Sequence, residues 1–381
     1  MNFQKQKIGI LGGGQLGKML IQAGSILGYD IRIMEDTKDC PAGAIAPCLT
    51  IGKITDYQDV VNFGMDCDII TIEIENVNIE ALKYLESQGK KVYPPSTAIA
   101  TIKDKGLQKE FYAHHQLPTS PFFSFKNKEE LIENLELGIF SIPFVYKSRT
   151  EGYDGKGVSI VRDWNDLARL ADQPCIAEAL VDIAHEIAII VARDTSGQMV
   201  TFPPTEMYFH PTANLVEYLF SPANVDDATT KEADLLAKNI AEKLEIVGLL
   251  AVEFFITANG QVLINEVAPR PHNSGHHTIE ACNASQYELH LRALTDLPLI
   301  TPTLHHATVM VNVLGESGYE GPVVYQGLDE CLKIDGVHPH LYGKKITKPF
   351  RKLGHVTIID ADLQEAIRKS HIVKSTFKAI S

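Results

Sequence analysis

Glu253 and Glu266 are the first residues whose placement demands chemistry. Each lies in a run of β-forming residues, 251–257 and 262–267, and Ala258-Asn259-Gly260-Gln261 separates the two runs. Asn-Gly between such runs is the strongest short signal for a two-residue hairpin loop. With Asn259 and Gly260 as that loop, Glu253 and Glu266 fall directly opposite each other, their Cβ atoms about 5 Å apart. At an effective dielectric of about 20, like charges at that spacing cost on the order of 3 kcal/mol. Phe254, Phe255, Ile264 and Val267 predict a mostly buried hairpin. An exposed pair softened by lysines is the alternative, but neither strand carries Lys or Arg. A cation between the carboxylates resolves the conflict, and an all-oxygen ligand set favours Mg²⁺. The expected chemistry is a metal site that holds nucleotide phosphates.

Further groups converge on the same chemistry. The loop Gly152-Tyr153-Asp154-Gly155-Lys156-Gly157 has three glycines in six positions between predicted strands at 144–148 and 158–161. Glycine lets successive backbone N–H groups curl around phosphate oxygens. An unliganded surface hairpin is the competing reading, and the spacing is not that of a P-loop. Lys147 sits in the apolar run Ile142-Pro143-Phe144-Val145-Tyr146, where an ammonium needs an anion; phosphate is the natural candidate. Glu178-Ala179-Leu180-Val181 offers backbone groups to an adenine edge, and Glu186 offers a carboxylate to ribose hydroxyls. Either glutamate is also readable as a solvated strand-end charge. After Asn265-Glu266, two prolines stiffen a loop presenting Arg270, His272, Asn273 and Ser274 beside the metal. His272 and His276 as a zinc pair are disfavoured, because this Pro/Gly-rich loop gives no helical spacing.

These groups need a scaffold, and the pattern supplies one. Residues 1–100 alternate predicted strands (7–11, 30–34, 68–74) with helix (15–27), implying a parallel sheet with covering helices. Gly12, Gly14 and Gly17 satisfy G-x-G-x-x-G, with Glu35 or Asp36 after the second strand. The physical content of that fingerprint is a tight turn aiming helix N-terminal amides at an anion or polar ligand. NAD is one such ligand, a substrate phosphate another, and simple close packing a third. From about residue 100 to 300 the texture is α+β, and the last 80 or so residues read as a β-rich unit.

At 381 residues the chain has room for two or three domains. Its net charge of −13 argues against nucleic-acid binding. Six cysteines without a C-x-x-C pair fit reduced, packed thiols, with Cys40 and Cys48 as metal ligands the lesser alternative. A short polar N-terminus and no spanning-length apolar run predict a cytoplasmic chain.

Taken together, Lys147, the 152–157 loop, 178–181, Glu186 and the Glu253/Asn265-Glu266 pair resemble ATP-grasp enzymes. Gly152–Gly157 and Asn265–His276 are most similar to the N5-carboxyaminoimidazole ribonucleotide synthetases of purine biosynthesis. The resemblance extends from Gly12-Gly13-Gly14-Gln15-Leu16-Gly17 to Tyr342-Gly343-Lys344 and Arg351-Lys352-Leu353-Gly354-His355. It implies an α/β and α+β chain. A Rossmann-like (preATP-grasp) domain would span 1–100, an ATP-grasp domain 101–300 with 116–180 as lid, and a small β-rich domain 301–381.

The resemblance also implies residue roles. Lys105, standing where several relatives have arginine, and Lys147 would contact ATP phosphates, with Gly152–Gly157 closing over them. Asn265 and Glu266 would lie at the nucleotide, Glu178–Val181 at adenine and Glu186 at ribose. Glu253 and Glu266 would hold Mg²⁺. Aminoimidazole ribonucleotide would touch Gln15, Leu16 and Glu73, and its phosphate would be held by Lys344 and Arg351. Arg270, His272, Asn273 and Ser274 would cradle bicarbonate, while Tyr153 and Asp154 would orient the amine or take its proton. A homodimer is implied as well. Formate-using glycinamide ribonucleotide transformylase is the nearest rival; Gln15 and Asn273-Ser274 favour the carboxylating enzyme. Biotin carboxylase, an NAD-dependent dehydrogenase and a non-catalytic nucleotide-binding regulator are more distant alternatives.

Overall fold

The computed structural model describes residues 6–150, 157–209 and 215–381. Between residues 7 and 92 the strands form one parallel sheet. Its order is Cys48–Ile51, Asp30–Glu35, Lys7–Leu11, Ile69–Ile72, Lys91–Val92. Parallel neighbours require crossovers, and the helices Gln15–Leu27, Tyr57–Met65 and Ile79–Ser87 provide three of them. Asp56 and Asn78 cap the second and third by accepting from Asp59 N and Ala81 N, contributing about 1 kcal/mol each. Both sheet faces are apolar, which explains the unbroken hydrophobic runs of its strands. Ile8, Ile10, Ile31 and Ile33 pack on one side, and Leu11, Met34, Ile70 and Ile72 on the other.

A four-stranded antiparallel sheet follows, ordered Phe122–Phe125, Cys175–Ala179, Phe144–Ser148, Val158–Val161. Its own small core includes Phe125, Leu131, Phe144, Tyr146 and Leu167.

The largest sheet has nine strands. From one edge it runs Val262–Ala268, Gly248–Thr257, Ile183–Arg193, Thr205–Phe209, Val216–Ser221, Ala307–Leu314, Lys352–Asp360 and Val337–Leu341, and Met199–Thr201 pairs with Ile183–Arg193. It therefore runs without a break past residue 300. The central strand Ile183–Arg193 shows strand alternation in full. Ile187, Ile189 and Val191 meet Ala233, Ala237, Ile240 and Ala241 of the helix Asp227–Lys243, whereas Ile190 and Ala192 face the opposite layer. Small residues on that helix let it lie close to the sheet. Among the described residues, no helix is long and apolar enough to cross a membrane.

Candidate active site

The strands Gly248–Thr257 and Val262–Ala268 pair Glu253 with Glu266, as expected. The route to that pairing differs. Thr257 N donates to Gln261 O at 3.0 Å and Gly260 N to Thr257 O at 2.9 Å, with Gly260 at φ +83°. The loop is thus three residues, 258–260, closed by a left-handed glycine, rather than Asn259-Gly260 alone. Beyond it Ile256 pairs with Val262 and Phe254 with Ile264, one position away from the two-residue register. A bulge at Asn265 then inserts one extra residue and restores the register at Glu253. The two shifts cancel.

The bulge also sets the chemistry, because it places Asn265 and Glu266 in succession at the site. Asn265 Oδ1 accepts from Lys147 Nζ at 2.9 Å, and Glu266 Oε2 pairs with Lys105 Nζ. Lys105 opens the helix Lys105–His114, whose N-cap Asp104 accepts from Gly106 N and Leu107 N. Asp104 also grips Arg149 through Nε at 2.7 Å and Nη2 at 2.8 Å, fixing the chain where the 152–157 loop departs. Glu253 faces His272, with Nε2 to Oε1 at 3.5 Å. Ala188 lies opposite Glu253 on the neighbouring strand and fills little of the space beside it.

Burial, then Glu266 and Glu186, push the Glu253 carboxyl upward; Lys105 holds Glu266 well down. One carboxylate is matched by an ammonium and its partner is short of positive charge. That donor set fits Mg²⁺, which binds through one or two carboxylates and completes its shell with phosphate oxygens and water.

Lys147 also has a protein anion, which the sequence reading did not foresee. Glu178 Oε1 lies 3.0 Å from its Nζ, while Glu178 Oε2 accepts from Ser120 Oγ at 2.6 Å and lies 3.1 Å from Lys109 Nζ. Glu178 is 2% exposed, so it is no solvated strand-end charge. Burial alone would raise its carboxyl, but Lys147 and Lys109 override that and hold it at about 2. The strand ends at Ala179, and Ala179 and Leu180 are exposed. Val181 follows, half-buried. Glu186 lies on the same sheet face as Ala188 and is pushed up to about 7 by burial, against the pull of Lys147.

The loop after the strand Val262–Ala268 is tied down from three directions. Arg270 Nε reaches Glu75 Oε1 at 2.8 Å in the N-terminal unit. Buried Gln286 clamps the backbone of His272, accepting from its N and donating to its O, both at 2.8 Å. His272 Nδ1 meets Ser274 Oγ at 2.9 Å, and Asn273 exchanges two amide hydrogen bonds with Asn312. His276 points elsewhere, its Nδ1 bonded to Tyr287 OH at 2.8 Å, so it does not converge with His272.

The glycine turn already holds its anion. Glu73 Oε1 accepts from Gly14 N at 2.5 Å and Oε2 from Gly17 N at 2.6 Å, and Glu35 Oε2 accepts from Gly13 N at 2.8 Å. Protein carboxylates occupy the amides that a dinucleotide pyrophosphate would need. Gln15 is half-buried at the helix start, and the Leu16 side chain is buried in the core, which leaves only its backbone for a ligand. Lys344 and Arg351 sit in the connection between Val337–Leu341 and Lys352–Asp360. Lys344 Nζ donates to Lys352 O at 2.9 Å and Arg351 Nη1 to Ile346 O at 2.8 Å. Lys18 Nζ ties that connection to the first helix through Leu341 O at 2.9 Å.

Gly152, Tyr153, Asp154, Gly155 and Lys156 lie outside the described residues; Gly157, at φ +73°, closes the loop base through its carbonyl to Ser148 N at 2.8 Å. Sequence reasoning missed Lys109, Gln286, Asn312 and the Asp104–Arg149 pair. Only Lys109 carried a usable signal, four residues after Lys105 on one helix.

Comparison with known proteins agrees with this geometry. Residues 110–287 match the ATP-grasp domain family, 5–103 the ribonucleotide synthetase preATP-grasp domain, and 308–369 the phosphoribosylaminoimidazole carboxylase C-terminal domain. The chain is 34% identical to N5-carboxyaminoimidazole ribonucleotide synthase of Staphylococcus aureus, over 96% of each. It is 35% identical to phosphoribosylaminoimidazole carboxylase of Ogataea methanolica over 98% of this chain and 70% of that protein. It spans about two thirds of the length of several such carboxylases. The crystal structure of N5-carboxyaminoimidazole ribonucleotide synthetase from Thermotoga maritima superposes with a TM-score of 0.90 at 36% identity, covering 99% of both chains. The chain belongs to the N5-carboxyaminoimidazole ribonucleotide synthase family of ATP-grasp ligases.

Proposed function

We propose that this site runs the reaction of its family: ATP-dependent carboxylation of 5-aminoimidazole ribonucleotide by bicarbonate, giving N5-carboxyaminoimidazole ribonucleotide, ADP and phosphate. The observation that carries the proposal is the Glu253–Glu266 pair set among Lys105, Lys147 and His272. ATP lies between the four-stranded sheet and the nine-stranded one. Exposed Ala179 and Leu180, with Val181, offer backbone to adenine, Glu186 accepts from the ribose, and Lys105 and Lys147 contact phosphates. Mg²⁺ held by Glu253 and Glu266 would neutralise charge developing on those phosphates.

Bicarbonate, cradled by Arg270, His272, Asn273 and Ser274, attacks the γ-phosphorus and gives carboxyphosphate with release of ADP. Carboxyphosphate breaks down to CO₂ and inorganic phosphate in a closed site, and the substrate's exocyclic amine captures the carbon of CO₂. Gln15, the Leu16 backbone and Glu73 border the aminoimidazole ribonucleotide, and Lys344 and Arg351 hold its phosphate. Tyr153 and Asp154 orient the amine or take its proton. A homodimer in the cytoplasm belongs to the same proposal.

The test is ADP release with each candidate acceptor. Stimulation by bicarbonate plus aminoimidazole ribonucleotide, and none by formate plus glycinamide ribonucleotide, is expected; the reverse overturns the assignment.

A further inference from the structure

Lys105 and Lys109 are one helical turn apart on Lys105–His114 and so share a face. Lys105 reaches Glu266, and Lys109 goes to a different place. It is 2% exposed, and its Nζ lies 2.6 Å from Thr119 Oγ1, 3.1 Å from Ser120 Oγ and 3.1 Å from Glu178 Oε2. An ammonium has three N–H groups, and these three oxygens account for all of them. Lys109 therefore has no donor to give a phosphate.

Thr119 is itself fixed, because its hydroxyl donates to Ile264 O at 2.7 Å on the hairpin strand that carries Asn265 and Glu266. Burial lowers the Lys109 ammonium to about 8, so holding a charge there is costly. Across Glu178 the situation differs. Lys147 touches Glu178 Oε1 and Asn265 Oδ1, which leaves it one N–H beyond those two contacts.

The balance of charge gives Lys109 a task. A lone Glu178–Lys147 pair is neutral, and a neutral buried pair attracts a phosphate weakly. Two lysines on one carboxylate leave a net positive charge, and the lysine with the remaining donor is the one beside Asn265. We propose that Lys109 is a positioning residue for nucleotide binding: by holding one oxygen of Glu178 it keeps Lys147, on the other oxygen, a phosphate-directed cation rather than half of a closed ion pair. This rests on the phosphate contact proposed above for Lys147.

The experiment measures Mg-ADP affinity by titration calorimetry, and KM for ATP against kcat, in Lys109→Met, Lys147→Met and the double variant Lys109→Met/Glu178→Gln. Lys109→Met should weaken Mg-ADP and raise KM for ATP by about tenfold or more, with the KM for aminoimidazole ribonucleotide unchanged. The double variant removes one charge of each sign and should recover affinity to within about threefold of the parent. A general packing role for Lys109 gives no such recovery. A double variant as weak as the single overturns the proposal. Should Lys109→Met fail to fold, the charge-balanced double variant decides alone: tenfold weaker binding overturns the proposal and near-parental binding sustains it. If Lys147→Met leaves Mg-ADP affinity intact, the phosphate contact itself fails. If Lys147→Met weakens binding and Lys109→Met does not, only the present inference fails.

Discussion

Glu253 stands directly across the hairpin from Glu266, yet their surroundings differ: Lys105 pairs with Glu266, while Glu253 faces the His272 ring, 3.5 Å away, and no lysine or arginine pairs with it among the described residues. The two carboxylates are therefore unequal for stability and alike for function. Glu253→Gln removes a buried like charge, so the metal-free protein should be as stable as the parent or gain about 1–2 kcal/mol. Glu266→Gln strands the Lys105 ammonium and should cost about 3 kcal/mol. Both should lower bicarbonate-dependent ADP release by about 100-fold or more. Denaturant unfolding in EDTA, alongside the ADP assay, measures both effects. Equal losses of stability in the two variants would contradict this account.

The glycine turn gives a second prediction. A Cβ at Gly14 would lie 2.4 Å from Glu73 Oε1, and Gly12, at φ +110°, would meet Glu73 Cγ at 2.4 Å. Gly14→Ala must displace the carboxylate that satisfies the Gly14 and Gly17 amides. A loss of about 2–3 kcal/mol in unfolding free energy is expected. The parent protein should show no saturable binding of NAD, because the anion-binding amides are already taken. Saturable NAD binding by the parent in calorimetric titration would revive the dehydrogenase alternative.

Local pattern made part of this molecule legible and left part of it hidden. The Asn-Gly hairpin, the glycine turn and Lys147 each announce themselves within a few residues, because turn chemistry and buried charge are local demands. The facing of Glu253 and Glu266 was reached through a two-residue loop, whereas the chain uses a three-residue loop and a compensating bulge. Sequence carries no clear mark of the bulge, since Asn265 is ordinary in composition and unusual only in register. The partner of Lys147 was hidden for another reason: Glu178 is 31 positions away and reaches it by pairing of separate strands. The continuation of the large sheet past residue 300 was likewise invisible, because Ala307–Leu314 pairs with Val216–Ser221 at long range. Tertiary pairing supplies these relations.

Asn312 offers a test at a distance from the nucleotide. Its Nδ2 donates to Asn273 Oδ1 at 3.0 Å and to Val216 O at 2.7 Å, and its Oδ1 accepts from Asn273 Nδ2 at 2.9 Å. It thereby fastens the loop proposed to cradle bicarbonate to the strand Ala307–Leu314. Asn312→Leu keeps the volume and leaves the Asn273 amide without this partner, at a cost of about 1–3 kcal/mol. KM for bicarbonate should rise about tenfold, with KM for ATP close to the parent value. Initial-rate kinetics with each substrate varied in turn checks the split; a uniform fall in kcat with both KM values unchanged would remove Asn312 from this role.

Buried histidines set the acid limit of the fold. Burial pushes His290 down to about 3 and His277 to about 4, and holds His276 and His355 well below the ordinary imidazole value of 6.5. The cause at His290 is visible: Nε2 meets Thr71 Oγ1 at 3.1 Å, while buried Nδ1 has no partner among the described residues. A proton there would add a donor with nothing to receive it. Because the folded values lie below the unfolded ones, the unfolded chain binds more protons between about pH 6.5 and 3. The stabilisation is complete above pH 6.5 and is lost as pH falls toward 3. Each such histidine contributes a slope of up to about 1.4 kcal/mol per pH unit. Urea unfolding at successive pH values should show this fall, and His290→Asn should flatten it by about one proton. Gly248, at φ +105°, leaves no room for a larger residue against that ring: a Cβ there would sit 2.8 Å from His290 Cε1. Asn, smaller than His, fits the same space. An unchanged slope in His290→Asn would show that His290 is not among the groups that titrate on unfolding.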